Sequence, residues 1–217
     1  MKALWLALLA VLVVLPARAE QGPLVQVGFS NASLYPSDWT LDLHPDGSGH
    51  FHAEGGNRPT DYPETMFPGK VDRDVRLSPE FTSRIFQTVH TEKILRNKCE
   101  SHLKVAFQGT KKIRYSGPDA EGGCEFNYST NKQIQELGES LIAVGQTLIE
   151  GARLEILYQH DPLGLDKAIQ YIVEATDDGR MQQICTIRSI LERLEDDPHV
   201  LDRVRKQARL LLARSGT

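Results

Sequence analysis

The chain has 217 residues, with 25 Lys+Arg against 29 Asp+Glu and three cysteines. A formal net charge of −4 argues against a nucleic-acid partner, because that affinity rests on cations clustered at phosphates. The length suits one large domain or two small ones.

Residues 1–19 read as an export signal. Lys2 gives a positive start, Ala3 to Leu15 is unbroken apolar, and Pro16 ends the run. Ala17-Arg18-Ala19 then puts small residues at −3 and −1 of a cleavage site before Glu20. The apolar run is shorter than the ~20 residues of a membrane-spanning helix. Removing residues 1–19 leaves 198 residues with a net charge of −6. The expected protein is periplasmic or secreted, with no membrane span after signal removal. Three cysteines in an exported chain fit one disulfide and one free thiol.

Leu24 to Phe29 reads as an opening strand. Trp39–His44 and Ser48–Ala53 form a hairpin around Pro45-Asp46-Gly47, where Pro45 presets φ and Gly47 takes the left-handed position. That turn sets Leu41 opposite Phe51, Trp39 opposite Ala53, and Asp42 opposite His50. Residues 55–69 are rich in Gly, Pro, Asn and Asp and read as a long loop of the kind that often carries function. Val71 to Leu77 reads as an edge strand. Ser78-Pro79-Glu80 supplies a cap, a proline at the first helical position and a first-turn acid. A helix to about Thr91 follows, with Phe81, Ile85 and Val89 inward.

Cys99 to Cys124 reads as a hairpin closed by a disulfide. Leu103, Val105 and Phe107 alternate on one strand, with Ile113 and Tyr115 on the other. A loop over Gly109–Lys111 pairs Phe107 with Ile113 and Val105 with Tyr115, the register that keeps apolar side chains on one face.

Beyond about Thr130 the apolar period becomes helical. Ile134, Leu137, Leu141, Val144 and Leu148 define one long helix capped by Ser129 or Thr130, and Leu154 to Tyr158 continue it. Asp161-Pro162-Leu163-Gly164 breaks it. Three short helices follow, carrying Ile169, Ile172 and Val173, then Ile184, Ile187, Leu191 and Leu194, then Leu201, Val204, Ala208 and Leu211.

The predicted fold class is α+β. A small antiparallel sheet of two hairpins packs on two helices, followed by a C-terminal bundle of short helices. The predicted division is a signal peptide over 1–19, an α+β domain over 20–160, and a helical region over 161–217.

Candidate chemistry is sparse. Ser129-Thr130-Asn131-Lys132 matches S-x-x-K, but the S-D-N and K-T-G companions of that serine nucleophile are absent. The polar face of the first hairpin carries Asp42, His50 and His52, two imidazoles and an oxygen at a spacing a divalent metal can use. Lys104, Lys111, Lys112 and Arg114 on the cystine hairpin form a candidate surface for an acidic partner. Cys185 reads as a buried thiol. No motif requires a cofactor. The composite expectation is a non-enzymatic binding or structural module, partnered by a protein or another envelope component. The alternative is a small hydrolase or metal-dependent enzyme centred on Asp42, His50 and His52.

Overall fold

A computed structural model describes residues 22–57 and 66–215. The expected signal peptide, and residues 58–65 of the expected long loop, lie outside the described residues.

The elements run β1 (Leu24–Ser30), β2 (Asp38–Leu43), β3 (Ser48–Glu54), β4 (Lys70–Arg76), α1 (Pro79–Val89), α2 (Glu92–Leu95), β5 (Thr110–Ser116), β6 (Glu121–Phe126), α3 (Lys132–His160), α4 (Leu165–Asp177), α5 (Arg188–Asp196) and α6 (Asp202–Arg214). The six strands make one antiparallel sheet in the order β4-β3-β2-β1-β5-β6. The α+β class is as the periodicities indicate.

The β2–β3 register follows the turn chemistry: Leu41 faces Phe51, Trp39 faces Ala53, and Asp42 faces His50. Gly47 has φ 82°, the left-handed value that closes this turn without a Cβ penalty. The side chain of Ser78 caps α1 by accepting from the Phe81 N–H. Asn131, not Ser129 or Thr130, caps α3 by accepting from the Ile134 N–H.

One sheet face is packed. Val25, Val27, Leu41, Phe51, Ile113 and Phe126 meet Ile85 of α1 and Ile134, Leu141, Val144 and Leu148 of α3 in a continuous core. A second core gathers Leu154 and Leu157 from the far end of α3 with apolar residues of α4, α5 and α6. The 29-residue helix α3 therefore supplies both cores. Glycines let it pack closely: a Cβ on Gly145 would lie 2.8 Å from the Trp39 indole, and one on Gly151 would lie 2.2 Å from Ile187. The helical region is further tied to β4 and α1 by Arg73 Nη2 donating to Glu155 Oε2 at 2.7 Å, and by the Ser78 N–H donating to Gln183 Oε1 at 2.8 Å.

The cystine segment differs from the predicted hairpin. Residues 101–109 are not a strand; Leu103, Val105 and Phe107 are exposed. The partner of β5 on one side is β1, so Ile113 faces Val27 and Tyr115 faces Val25. Its hairpin partner is β6, which contains Gly122 and Gly123: Ile113 faces Cys124 and Tyr115 faces Gly122. The physical reason is steric. Leu95 of α2 lies against β6, where a Cβ on Gly122 would sit 2.3 Å from the Leu95 carbonyl oxygen. Residues that are poor strand formers by propensity are therefore required here by packing. The Cys99–Cys124 disulfide does form, but it ties the segment after α2 to β6 instead of closing a 103–107 hairpin.

The bridge encloses a separation of 25 residues, for which the loop-entropy model gives about 3–4 kcal/mol. Cys99→Ser combined with Cys124→Ser is expected to lower unfolding stability by about that amount in a urea titration. Thiol titration of the unreduced, denatured wild-type protein should find one reactive thiol, Cys185; three would contradict the bridge.

Candidate functional site

Among the described residues, no helix covers the second face of the sheet. Its side chains alternate outward along the strands: Gln26, Thr40, Asp42, His50, His52, Asp72, Asp74, Lys112, Arg114 and Glu125 are exposed or half-buried, while most of their neighbours are buried. Its β3–β4 half carries a chain of alternating carboxylates and imidazoles. His50 Nδ1 lies 2.9 Å from Asp74 Oδ1, and His50 Nε2 lies 3.2 Å from Asp72 Oδ1. His52 Nδ1 lies 2.8 Å from the second oxygen of Asp72, and His52 Nε2 lies 3.3 Å from Glu54 Oε2. The register His50↔Asp74 and His52↔Asp72 produces this ladder.

The histidines therefore face the acids of β4, which the sequence reading missed. Asp42, the expected third ligand, instead accepts from Gln26 Nε2 at 3.2 Å. Among the described residues, no group of three or more His, Cys, Asp or Glu side chains is arranged to hold a metal ion. The Asp-Arg-Asp alternation at 72–74 was the available signal, but the register of β4 on β3 is set across the intervening loop.

At one end of this face lies a broad open concavity of about 1560 Å³, with Asp42, His44, Ser48, His50, Asp74 and Arg76 among its lining. Asp74 holds the His50 imidazole above its ordinary pKa, against the opposing effect of burial, and Asp72 adds to the rise. The hydrogen bond from His52 holds the Asp72 carboxyl below its ordinary value, reinforced by the charges of His50 and Lys70.

The predicted basic surface is dispersed. Lys111 faces the packed side of β5 and is 3% exposed. Its Nζ donates to the Asn127 carbonyl at 2.6 Å and lies over the Phe126 ring. Burial pulls its pKa down, opposed by the charges of Glu139 and Glu100. Lys112 pairs with Glu125 at 3.3 Å and Arg114 with Glu121 at 2.7 Å, so both charges are matched within the sheet. Lys104 is exposed on the 101–109 segment. The S-x-x-K residues also separate: Ser129 is buried with its Oγ accepting from the Asn131 N–H, and Lys132 pairs with Glu136.

A second polar network had no signal in the sequence. Tyr115 Oη donates to Asp119 Oδ1 at 2.5 Å, and Asp119 Oδ2 lies 2.9 Å from His90 Nε2. His90 Nδ1 lies 2.5 Å from the Phe86 carbonyl. Both imidazole nitrogens thus face acceptors, which favours the doubly protonated ring. The Phe86 carbonyl, then Asp119, raise the His90 pKa, while burial opposes the rise. Burial, aided by Asp119, pushes Tyr115 up to about 12. The network lines a cleft of about 760 Å³ between Pro23, Pro45, Pro79 and Phe86.

No protein-family model matches the chain, and no curated protein matches it in sequence.

Stabilisation from His50 and His90 has a defined sign. A raised folded pKa gives stability that is complete below the ordinary histidine value of about 6.5 and disappears as pH rises through the folded value. Proton NMR should show both rings titrating above about 6.5. Asp74→Asn should lower the His50 midpoint, and Asp119→Asn the His90 midpoint. Unmoved midpoints would contradict these pairings.

Proposed function

We propose that the protein is exported and acts as a non-enzymatic binding module whose working surface is the uncovered sheet face. The observation that carries this reading is the polar face, uncovered by any helix of the described residues, with its Asp–His ladder and adjoining concavity. Export is supported by the signal-like residues 1–19 and by the disulfide, which suits an oxidising compartment. Among the described residues, no helix is long and apolar enough to cross a membrane.

The chemistry of the face favours a partner that brings cations. Asp42, Glu54, Asp72 and Asp74 outnumber Lys70 and Arg76, the cations at the two ends of β4, on the β2–β4 half, while Lys112 and Arg114 at the other half are already matched by Glu125 and Glu121. A basic segment of an envelope protein fits this distribution, and exposed pairs of this kind contribute more to steering and selectivity than to raw affinity.

An octalysine peptide serves as the probe. It is expected to bind saturably and more weakly at high salt, and Asp72→Asn with Asp74→Asn should reduce its affinity by roughly tenfold, two exposed charge contacts together. Binding unchanged by that double substitution would remove the ladder from the proposed surface. Zinc added to chelator-treated protein should leave the melting temperature unchanged; a stoichiometric zinc-dependent rise lost in His50→Ala would favour the metal-dependent alternative.

A further inference from the structure

The segment 102–108 is an exposed stretch, rich in apolar side chains, that is hydrogen-bonded at both ends. All seven residues from His102 to Gln108 are exposed. Seven large hydrophobic side chains are strongly exposed among the described residues, and three fall within this segment: Leu103 at 57%, Val105 at 42% and Phe107 at 63%. Scattered exposed apolar residues need no explanation, but a cluster does.

The segment is anchored on both sides. The Ser101 N–H donates to the Tyr128 carbonyl at 2.9 Å, and the Gln108 N–H donates to Asn127 Oδ1 at 2.8 Å. Asn127 Nδ2 donates in turn to the Ala106 carbonyl at 3.2 Å. Glu100 accepts from the Ser101 and His102 N–H groups with one oxygen and from the Asn127 N–H with the other. Gly109 has φ 107°, and a Cβ there would lie 2.4 Å from the Phe29 ring. The Cys99–Cys124 bridge holds the base.

The alternation Leu103, Val105, Phe107 suits a strand added to a partner's sheet, a mode in which the backbone supplies the bonds. Here part of that backbone is already engaged within the protein. The Val105 N–H donates to the Leu103 carbonyl at 3.0 Å, and the Ala106 carbonyl and Gln108 N–H belong to Asn127. What the segment presents outward is three strongly exposed apolar side chains, Leu103, Val105 and Phe107. A fluid apolar phase receives such side chains without a matching pocket. The charges point the same way. Along residues 98–108 the outward cations are Lys98 and Lys104, beside His102, and the single acid, Glu100, is spent on those N–H groups.

We propose that residues 102–108 are a membrane-contact tip that inserts Leu103, Val105 and Phe107 into an anionic bilayer surface while Lys104 meets the lipid headgroups. The long stem of Lys104 lets its ammonium reach the headgroups while neighbouring side chains enter the acyl boundary. Apolar insertion combined with a cation gives reversible, salt-sensitive attachment, distinct from a spanning helix. The sheet register places this tip beside Thr110 and Phe29, at the opposite end of β1 and β5 from the concavity bordered by Leu24 and Ser116. The open face stays available when the tip is engaged.

The test is co-sedimentation of the mature protein with vesicles of phosphatidylcholine alone or with phosphatidylglycerol. The wild type should partition onto the anionic vesicles, more weakly at high salt. Leu103→Ser with Phe107→Ser should reduce partitioning at least roughly tenfold. Lys104→Glu should reduce it severalfold on anionic vesicles only. Melting temperatures of these variants should match the wild type, since the side chains are exposed. No wild-type partitioning, or partitioning unaffected by the double substitution, overturns the proposal. A dimer in sedimentation velocity that dissociates in the same variant, with no vesicle binding, overturns it in favour of a second copy as the partner. Octalysine binding to the sheet face is a separate measurement, and neither result predicts the other.

Discussion

Gly145 of α3 lies against the indole of Trp39, and the rest of the architecture depends on that contact. Trp39 stacks on Phe29 at 5.6 Å and meets Phe51 at 5.7 Å, so its ring joins β1, β2 and β3 from above. A side chain at position 145 would hold the helix away from the sheet, and well-packed interiors do not absorb such a gap. Close approach fixes the line of α3 across the sheet. Because the helix is one rigid element, its line also fixes where Leu154 and Leu157 emerge to nucleate the second core. Gly151 against Ile187 then seats the C-terminal helices. The two cores are thus coupled through a single helix, with Arg73–Glu155 bridging them at the sheet edge.

Placing all the helical cover on one side leaves the other side to its polar side chains. An antiparallel sheet tolerates this arrangement, since alternation puts apolar and polar residues on opposite faces. The exposed rows are organised in pairs of opposite charge, and the Asp–His ladder is the densest of them. Each imidazole there lies between two carboxylates, and protonation of His50 relieves repulsion between Asp72 and Asp74, which the register brings together. The His50 end of the ladder is accordingly most cohesive between the carboxylate range and the raised His50 value, a window that follows from His50 rising and Asp72 falling.

Local chemistry was legible in the sequence and distant pairing was not. The β2–β3 register could be read because Pro45 and Gly47 leave few ways to close the turn. The helices could be read because their apolar residues recur at helical spacing over many turns. The cystine segment misled for a specific reason. Its alternation of Leu103, Val105 and Phe107 matches a strand, and the nearest strand in sequence is a reasonable partner. The true neighbour of β5 on that side is β1, more than eighty residues earlier, and nothing within 99–124 encodes that choice. Gly122 and Gly123 read as loop because their value lies in what they leave room for, the backbone of α2 and of β5. The acids of the ladder were hidden in the same way, visible as Asp72 and Asp74 but with no register to place them opposite the histidines.

Where local pattern and final structure disagree, the disagreement carries information. Sequences are locally consistent with their folds except at strained or working positions. The 103–107 stretch has the apolar alternation of a buried strand, yet the fold excludes it from the sheet. Loose packing does not account for the exposure. Asn127 binds its backbone at Ala106 and Gln108, Glu100 turns inward to secure its base, and the disulfide closes beneath it. Ordering these groups has an entropic cost that a disordered loop would avoid, while Leu103 and Phe107 stay 57% and 63% exposed. A preorganised apolar tip gains its return when it meets an apolar phase, because the ordering has already taken place. The cystine therefore acts as the foundation of an exposed element, and the alternation that imitates a strand is the composition that insertion requires.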